Sequence, residues 1–245
     1  MNFIIPDWPA PASVRALSTT RAGGVSTGPY AAPAGGGLNL GVHVGDDPEA
    51  VARNRSLLRA HVPSEPAWLN QVHGVRVVDA GDVAGAAVDA DAAIASAPGA
   101  VCVIQTADCL PVLFCDTEGK AVGAAHAGWR GLAGGVLQAT AARMREAGAG
   151  EIMAWLGPAI GPQAFEVGQD VVDAFPGRSD AFRPIPGQPG KFLADIYLLA
   201  RATLREAGVE KVAGGGRCTV SEPDSFYSYR RDRVTGRMAS LVWLR

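Results

Sequence analysis

Residues 101–127 read VCVIQTADCLPVLFCDTEGKAVGAAHA. Three apolar runs stand out in it: Val101 to Gln105, Val112 to Cys115 with Pro111 opening it, and Lys120 to Ala125. Short continuous apolar runs bounded by turn residues predict strands in the middle of a sheet covered on both faces. The break around Thr106–Leu110 places Asp108 and Cys109 in a loop at a sheet edge. His126 falls at the end of the third strand, and Gly128 and Gly131 after it permit close backbone approach before a helix.

Working outward on the C-terminal side, Leu132 to Ala147 predicts a helix closed by Gly148, and Ile152 to Leu156 a strand. Asp195 caps a helix running to Ala207, whose Ile196, Leu199, Ala200, Thr203 and Leu204 share one face before Gly208 stops it. Met238 to Leu244 predicts the last strand. On the N-terminal side, Val14 to Thr19 and Val75 to Val78 predict strands. Pro48 to Ala60 predicts a helix with Asp46 or Asp47 as its cap and Pro63 beyond its end. Gly28–Gly37 and Arg183–Gly190 read as loops, the first long and flexible. Strands and helices mix without strict alternation, so the expected class is α/β (α+β), with mixed β-sheet layers flanked by helices. Neither an internal repeat nor a linker interrupts the chain, which predicts one domain over residues 1–245.

Composition narrows the function. Hydrophobic residues make up 48% and charged residues 19%, enough apolar material for a large core and too much for disorder. A formal charge of −2 without a basic patch disfavours nucleic acid and anionic membrane as partners and favours a small polar substrate. The start, MNFIIPDWPAPASVRAL, lacks the pattern of a signal peptide, and no apolar stretch reaches the ~18 residues of a membrane span. Cys102, Cys109, Cys115 and Cys218 form no CxxC pair, which suits reduced thiols in a cytoplasm. The oligomeric state is left open, with a monomer as the expectation.

The four histidines are His43, His61, His73 and His126. His61 sits at a predicted helix end and His43 in LNLGVHVGDD, where the sequence assigns it no role. His73, in WLNQVHG, and His126, in AAHAGWRG, lie among polar and turn residues at strand ends. With Cys109 they make two imidazoles and one thiolate, a ligand set for a borderline-soft cation that leaves one tetrahedral position open. Their separations, 36 and then 17 residues, are not those of a zinc finger. By spacing alone the signal is weak, because a histidine at a strand end is more often a hydrogen-bonded structural residue and Cys109 fits as a small buried one.

The segments NQVHG, QTADCLPVLF, AAHAGWRG and GPAIGPQAFEVG resemble the laccase-domain family. This family is also called the multicopper polyphenol oxidase or purine nucleoside phosphorylase family, and its bacterial members peptidoglycan editing factor. STTRAGGVS, LNLGVHVGDDP, RNR at Arg53–Arg55 and FYSYRRDRVTGRM extend the resemblance over nearly the whole chain. It implies zinc held by His73, Cys109 and His126. It also implies phosphorolysis of purine nucleosides (adenosine, inosine, guanosine or methylthioadenosine) and adenosine deamination as a second activity. The older oxidase claim meets a count: four histidines are too few for a blue copper plus a three-copper cluster. A single copper in the same site remains an alternative to zinc.

Each chemistry names residues. Deamination needs an acid for the leaving amine, with Asp108 or Glu166 as candidates against a loop-capping aspartate and a solvated glutamate. Phosphorolysis needs anion contacts, with Arg55, Arg130 and Arg21 as candidates against exposed or ion-paired arginines. Phe226, Tyr227 and Trp129 are candidates to stack on a purine, against a core role. Two further classes use the same residues. In a cysteine hydrolase acting on peptidoglycan precursors, Cys109 is the nucleophile and His126 or His73 its base. A nonenzymatic metal or nucleoside binder is the other.

Overall fold

The three runs of the opening stretch form strands Val101–Thr106, Leu110–Asp116 and Val122–Ala127, and every residue of all three is buried. They do not share one sheet. In the computed structural model, which describes residues 1–83, 85 and 87–245, Val101–Thr106 closes a four-stranded sheet ordered Phe3–Ile4, Val14–Thr19, Met238–Leu244, Val101–Thr106. The other two lie at the centre of a six-stranded sheet. Its order is Lys211–Gly214, Ile152–Leu156, Leu110–Asp116, Val122–Ala127, Ala92–Ala95, Val77–Asp79. The four-stranded sheet is wholly antiparallel. The six-stranded one is mixed, with parallel pairs at both edges.

The period-2 alternation of strand side chains explains why the runs are apolar on both faces. Cys102, Ile104 and Val242 of the smaller sheet pack with Ala93, Leu113, Cys115, Val122 and Trp155 of the larger one, giving a core between the sheets. Their neighbours Val101, Val103, Leu241 and Trp243 point outward and are covered by Leu58 of helix Pro48–Arg59, with Leu38, Leu40 and Val62. On the far face of the larger sheet, Val112, Phe114, Ala125 and Ala154 meet Leu137, Ala141, Leu199 and Leu204. These last come from helices Val136–Glu146 and Ile196–Glu206. The layers therefore run helix, sheet, sheet, helices, as the expected class requires.

Local signals behave as elementary capping chemistry dictates. Asp195 Oδ1 accepts from the Leu198 N–H at 2.9 Å, and Asp47, rather than Asp46, caps Pro48–Arg59 through the Glu49 N–H at 3.0 Å. Asp46 instead accepts from Ser26 and Asn39. The helix expected over Leu132–Ala147 is two helices, Trp129–Gly134 and Val136–Glu146. Gly135 between them is left-handed, φ 99°, and its N–H closes the first helix. Neither expected loop is free. Tyr30 is buried in Gly28–Gly37 and bonded to the Val44 carbonyl at 2.6 Å. Of the expected loop Arg183–Gly190, Arg183 and Pro184 lie in strand Phe182–Pro184, and the rest turns back into its partner Lys191–Ala194. Among the described residues no helix is long and apolar enough to cross a membrane.

Candidate metal centre and the cavities beside it

Two strained turns and one strand bring the candidate ligands together. After strand Leu69–Asn70 the chain turns with His73 left-handed, φ 60°. Between Val101–Thr106 and Leu110–Asp116 it turns with Asp108 at φ 97°, and Cys109 follows. His126 stands next to last in Val122–Ala127, opposite Pro111. Positive φ at a non-glycine residue costs about 1–3 kcal/mol, so each turn needs partners that fix it.

Asp91 fixes the first turn. It is wholly buried just before strand Ala92–Ala95, and it accepts four hydrogen bonds. Its Oδ1 takes the His73 N–H at 2.9 Å and His126 Nδ1 at 2.8 Å. Its Oδ2 takes the Val72 N–H at 3.1 Å and the Gly74 N–H at 2.6 Å. Burial alone would push its carboxyl up; the bonds from His126 and the turn outweigh that and hold it below the usual carboxylate range. The proton then sits on His126 Nδ1, and Nε2 presents its lone pair to a metal. The second turn is fixed by Asp108 itself: Oδ1 accepts from Thr219 Oγ1 and Oδ2 from the Arg230 N–H, both at 2.6 Å.

The ligand atoms of His73, Cys109 and His126 all lie within 4.8 Å of one another, with Cys109 Sγ 3.8 Å from His73 Nε2. Zinc–sulfur and zinc–nitrogen bonds set tetrahedral ligand atoms about 3.3–3.7 Å apart, so a contraction of a few tenths of an ångström to about one ångström seats an ion. His126 is buried, Cys109 half-buried and His73 exposed, which leaves one side of the position open. The donor set and this geometry fit a single metal ion. Gly128 makes the close packing feasible: a Cβ there would sit 2.8 Å from His73 Cδ2 and 3.1 Å from Cys109 Sγ. Without metal the cluster is polarised. Burial pushes the Cys109 thiol up, but His126 and then His73 outweigh it and bring it down to about 6. Burial pushes His126 down, but Cys109 and Asp91 raise it to about 9.

Two cavities meet at His73, Ala107, Cys109 and Tyr229. The first, about 270 Å³, is polar, with His43, Gln71, Gln105 and Arg237 on its wall and no carboxylate among its lining residues. The second, about 280 Å³, presents Trp129, Ile160, Phe165 and Ile196, with Arg130, Arg230 and Asp108.

Two imidazoles and a thiol, open on one side and flanked by cavities, are a group that could hold one ion where small molecules reach it. The family described as Multi-copper polyphenol oxidoreductase laccase matches residues 15–245, and the chain belongs to it. It is 54% identical to a purine nucleoside phosphorylase of Pseudomonas aeruginosa, over 99% of this chain and 98% of that protein. To the purine nucleoside phosphorylase YfiH of Escherichia coli K12 it is 51% identical, over 99% of both. The crystal structure of a Neisseria meningitidis protein superposes with a TM-score of 0.91 at 54% identity, covering 100% of this chain and 99% of that one.

The remaining candidates are placed unevenly. Arg130 lines the apolar cavity with its guanidinium over the Trp129 ring at 4.2 Å. Arg55 lines neither cavity: Nε donates to the Leu40 carbonyl at 3.0 Å, and its guanidinium lies 3.9 Å from the Trp68 ring centre. Arg21 is likewise structural, donating to the carbonyls of Pro223 and Ala31 and covering Tyr227. Arg21 is held by two carbonyls and Arg55 by one carbonyl and a ring, and neither lines the cavities. Glu166 pairs with Lys191 at 3.1 Å, outside the cavities. Phe226 and Tyr227 are core, while Trp129 reaches the site. The reading of the sequence missed Asp91, Gln105, Phe165, Tyr229 and Arg237. Gln105, Phe165, Tyr229 and Arg237 lie in the quoted QTADCLPVLF, GPAIGPQAFEVG and FYSYRRDRVTGRM segments, whereas Asp91 carried no local signal.

Proposed function

We propose that this chain is a purine nucleoside phosphorylase that works in the cytoplasm with one zinc ion held by His73, Cys109 and His126. The observation that carries this reading is the meeting of two unlike cavities at the ligand cluster. Displacement at a sugar carbon places the nucleophile and the leaving group on opposite faces. A cavity walled by Trp129, Phe165, Ile160 and Ile196 on one side and a carboxylate-free one walled by His43, Gln71, Gln105 and Arg237 on the other meet that demand. The names of the relatives from Pseudomonas aeruginosa and Escherichia coli point the same way. Four free cysteines, two of them fully buried, accord with a reducing compartment.

The residues divide the work. Trp129, Phe165, Ile160 and Ile196 exclude water from the base and offer it flat apolar surface. Tyr229, shared by both cavities, stands over the sugar. Bound zinc supplies Lewis acidity toward an oxygen at the reacting centre. Asp91 holds the His126 imidazole and the backbone of the His73 turn in register, and Asp108 holds the turn that presents Cys109. A phosphate oxygen bonds to the sugar carbon C1′ as the bond from C1′ to the base nitrogen breaks. The electron pair stays on the purine, which takes up the proton that monohydrogen phosphate gives up.

Deamination of adenosine is proposed as a minor activity, because the one carboxylate in the cavities, Asp108, already accepts two hydrogen bonds and must release one to move a proton. The metal-free protein favours a second reading, Cys109 as a nucleophile toward an acyl substrate such as a peptidoglycan precursor. The lowered thiol beside two imidazoles carries it.

The test is incubation of zinc-loaded protein with adenosine, with and without phosphate, with products identified by mass spectrometry beside Cys109→Ala. Adenine and ribose 1-phosphate formed only with phosphate, and lost in the variant, is the expected result. Inosine formed independently of phosphate would make deamination the main chemistry. No turnover of nucleosides would sink the assignment and shift it to acyl hydrolysis.

A further inference from the structure

Gln105 stands in the polar cavity with a side chain that the protein leaves unpartnered. Its backbone is tied to Gln71: its N–H donates to Gln71 Oε1 and its carbonyl accepts from Gln71 Nε2, both at 2.8 Å. Its side chain takes part in neither bond. The residue is 7% exposed, and its Oε1 is buried with no hydrogen-bond partner. A buried amide in that condition destabilises the fold, and such groups call for an explanation.

The neighbours give it one. Arg237 reaches the same cavity from the turn before strand Met238–Leu244, with Nη1 held by the carbonyls of Thr235 and Gly236. That anchoring fixes the guanidinium and leaves its Nε and Nη2 edge for something else. Its strongest favourable charge partners are Cys109 and Asp108, so it lies within electrostatic reach of the metal ligand. His43 is a third polar group on the wall, and no carboxylate lines the cavity to compete for these donors. A fixed guanidinium edge, an amide and an imidazole around a space next to the reacting centre make a recognition site for a small oxyanion.

We infer that this cavity is the subsite for inorganic phosphate, in which Arg237 supplies the charge and the Gln105 amide the neutral contact that orients it. This rests on the phosphorolytic reading. It assigns the base to the opposite cavity, and it replaces Arg55 and Arg21 as the anion contacts. It also accounts for the unpartnered Oε1, an acceptor, which takes the P–OH of monohydrogen phosphate when it enters, while the amide NH₂ donates to an anionic oxygen. The stability lost at Gln105 is the cost of a preformed contact.

The experiment uses the zinc-loaded protein with Gln105→Met and Arg237→Met variants. Binding of inorganic phosphate without nucleoside is followed by calorimetry. Then KM for phosphate and for nucleoside, and Tm, are measured. Arg237→Met is expected to weaken phosphate binding about tenfold or more. Gln105→Met should raise the phosphate KM several-fold while the nucleoside KM stays within about twofold. It should also melt about 2–4 °C higher, because it removes a buried polar group that has no partner.

A higher nucleoside KM with an unchanged phosphate KM would overturn the assignment and make the cavity the nucleoside site. A lower Tm for Gln105→Met would overturn the claim that its amide is kept for ligand. Phosphate-dependent cleavage that survives both variants with unchanged phosphate KM would refute this subsite and leave the phosphorylase reading standing. Phosphate binding lost in Arg237→Met, in a protein that cleaves no nucleoside, would support the subsite and refute the phosphorylase reading.

Discussion

Asp91→Asn replaces one oxygen by NH₂ and reaches the whole site. The carboxylate accepts from His73 N–H and His126 Nδ1 on one oxygen and from the Val72 and Gly74 N–H groups on the other. An asparagine keeps one acceptor oxygen and replaces the other with a donor. If the NH₂ faces Val72 and Gly74, two N–H groups lose their partner. If it faces His73 and His126, the His73 N–H is orphaned and the imidazole must move its proton to Nε2, where it blocks the lone pair meant for metal. Leaving a buried donor unsatisfied costs about 1–3 kcal/mol, so two cost about 2–6 kcal/mol. That is a large part of the about 5–15 kcal/mol that holds a domain folded. His73 sits at φ 60°, so the turn also loses what fixes its strained residue. The expected result is metal affinity about 10–100-fold weaker, the range found for partners of metal-bound histidines. Urea unfolding of the metal-free protein should show a loss of at least about 2 kcal/mol. Affinity is read by competition with a chromophoric chelator. Affinity within about twofold of the parent, with unchanged unfolding, would refute the claim that Asp91 sets the geometry.

The other outcomes are narrower. Gly128→Ala puts a methyl 2.8 Å from His73 Cδ2, so it should spread the ligands and weaken metal binding at least about tenfold in the same competition assay. In metal-free protein the Cys109 thiol, depressed to about 6, is a thiolate above that pH and is protonated as pH falls through it. Iodoacetamide labelling followed by peptide mass spectrometry should rise with a midpoint near about 6, while Cys115, pushed up to about 12, stays unlabelled at neutral pH. A midpoint near the free-thiol value of about 8.5 would remove the imidazole influence. Asp195→Ala deletes the bond to the Leu198 N–H at 2.9 Å. It should cost about 1 kcal/mol, seen as a Tm about 2–4 °C lower by calorimetry. Metal titration should saturate at one ion per chain, and a stoichiometry of several coppers would contradict the single ligand cluster seen among the described residues.

What the sequence makes legible follows the range of the interaction involved. Met238–Leu244 and the Asp195 cap are read correctly because composition and a neighbouring side chain decide them. The break at Gly135 is missed although Gly134-Gly135 is a pair of the kind that marks turns, because helix formers continue on both sides of it. The division of the central runs between two sheets depends on Val101–Thr106 pairing with Met238–Leu244, far along the chain, and no local pattern encodes that. At the site, His73, Cys109 and His126 stand out because imidazole and thiol are few in this chain. Asp91 does not, because in Asp89-Ala90-Asp91-Ala92 nothing separates a buried anchor from a turn aspartate. The arginines fail in another way. Arg55, Arg21 and Arg237 look alike in sequence, and only the position of nearby carbonyls and rings decides which guanidinium keeps an edge free.

The family description names several coppers, and the fold of this chain bears on that through its histidines. His73 and His126 lie in one candidate ligand cluster, His43 faces the polar cavity, and His61 packs edge-on against Phe3 with ring centres 4.9 Å apart. Electron transfer from a thiolate-bound copper to a separate oxygen-reducing cluster needs a second full set of ligands, and two remaining histidines do not supply it. A His₂Cys site still binds copper avidly, since copper stands above zinc in the affinity order for such donors. Copper carried through purification would therefore report metal availability rather than chemistry. The backbone points the same way. Among the described residues three non-glycine positions have positive φ, and two of them, His73 and Asp108, flank the ion position. Each is held by a buried carboxylate, Asp91 and Asp108, that accepts hydrogen bonds. Strain held in place this way keeps three ligands and two cavities in fixed relation, which displacement at a sugar carbon requires.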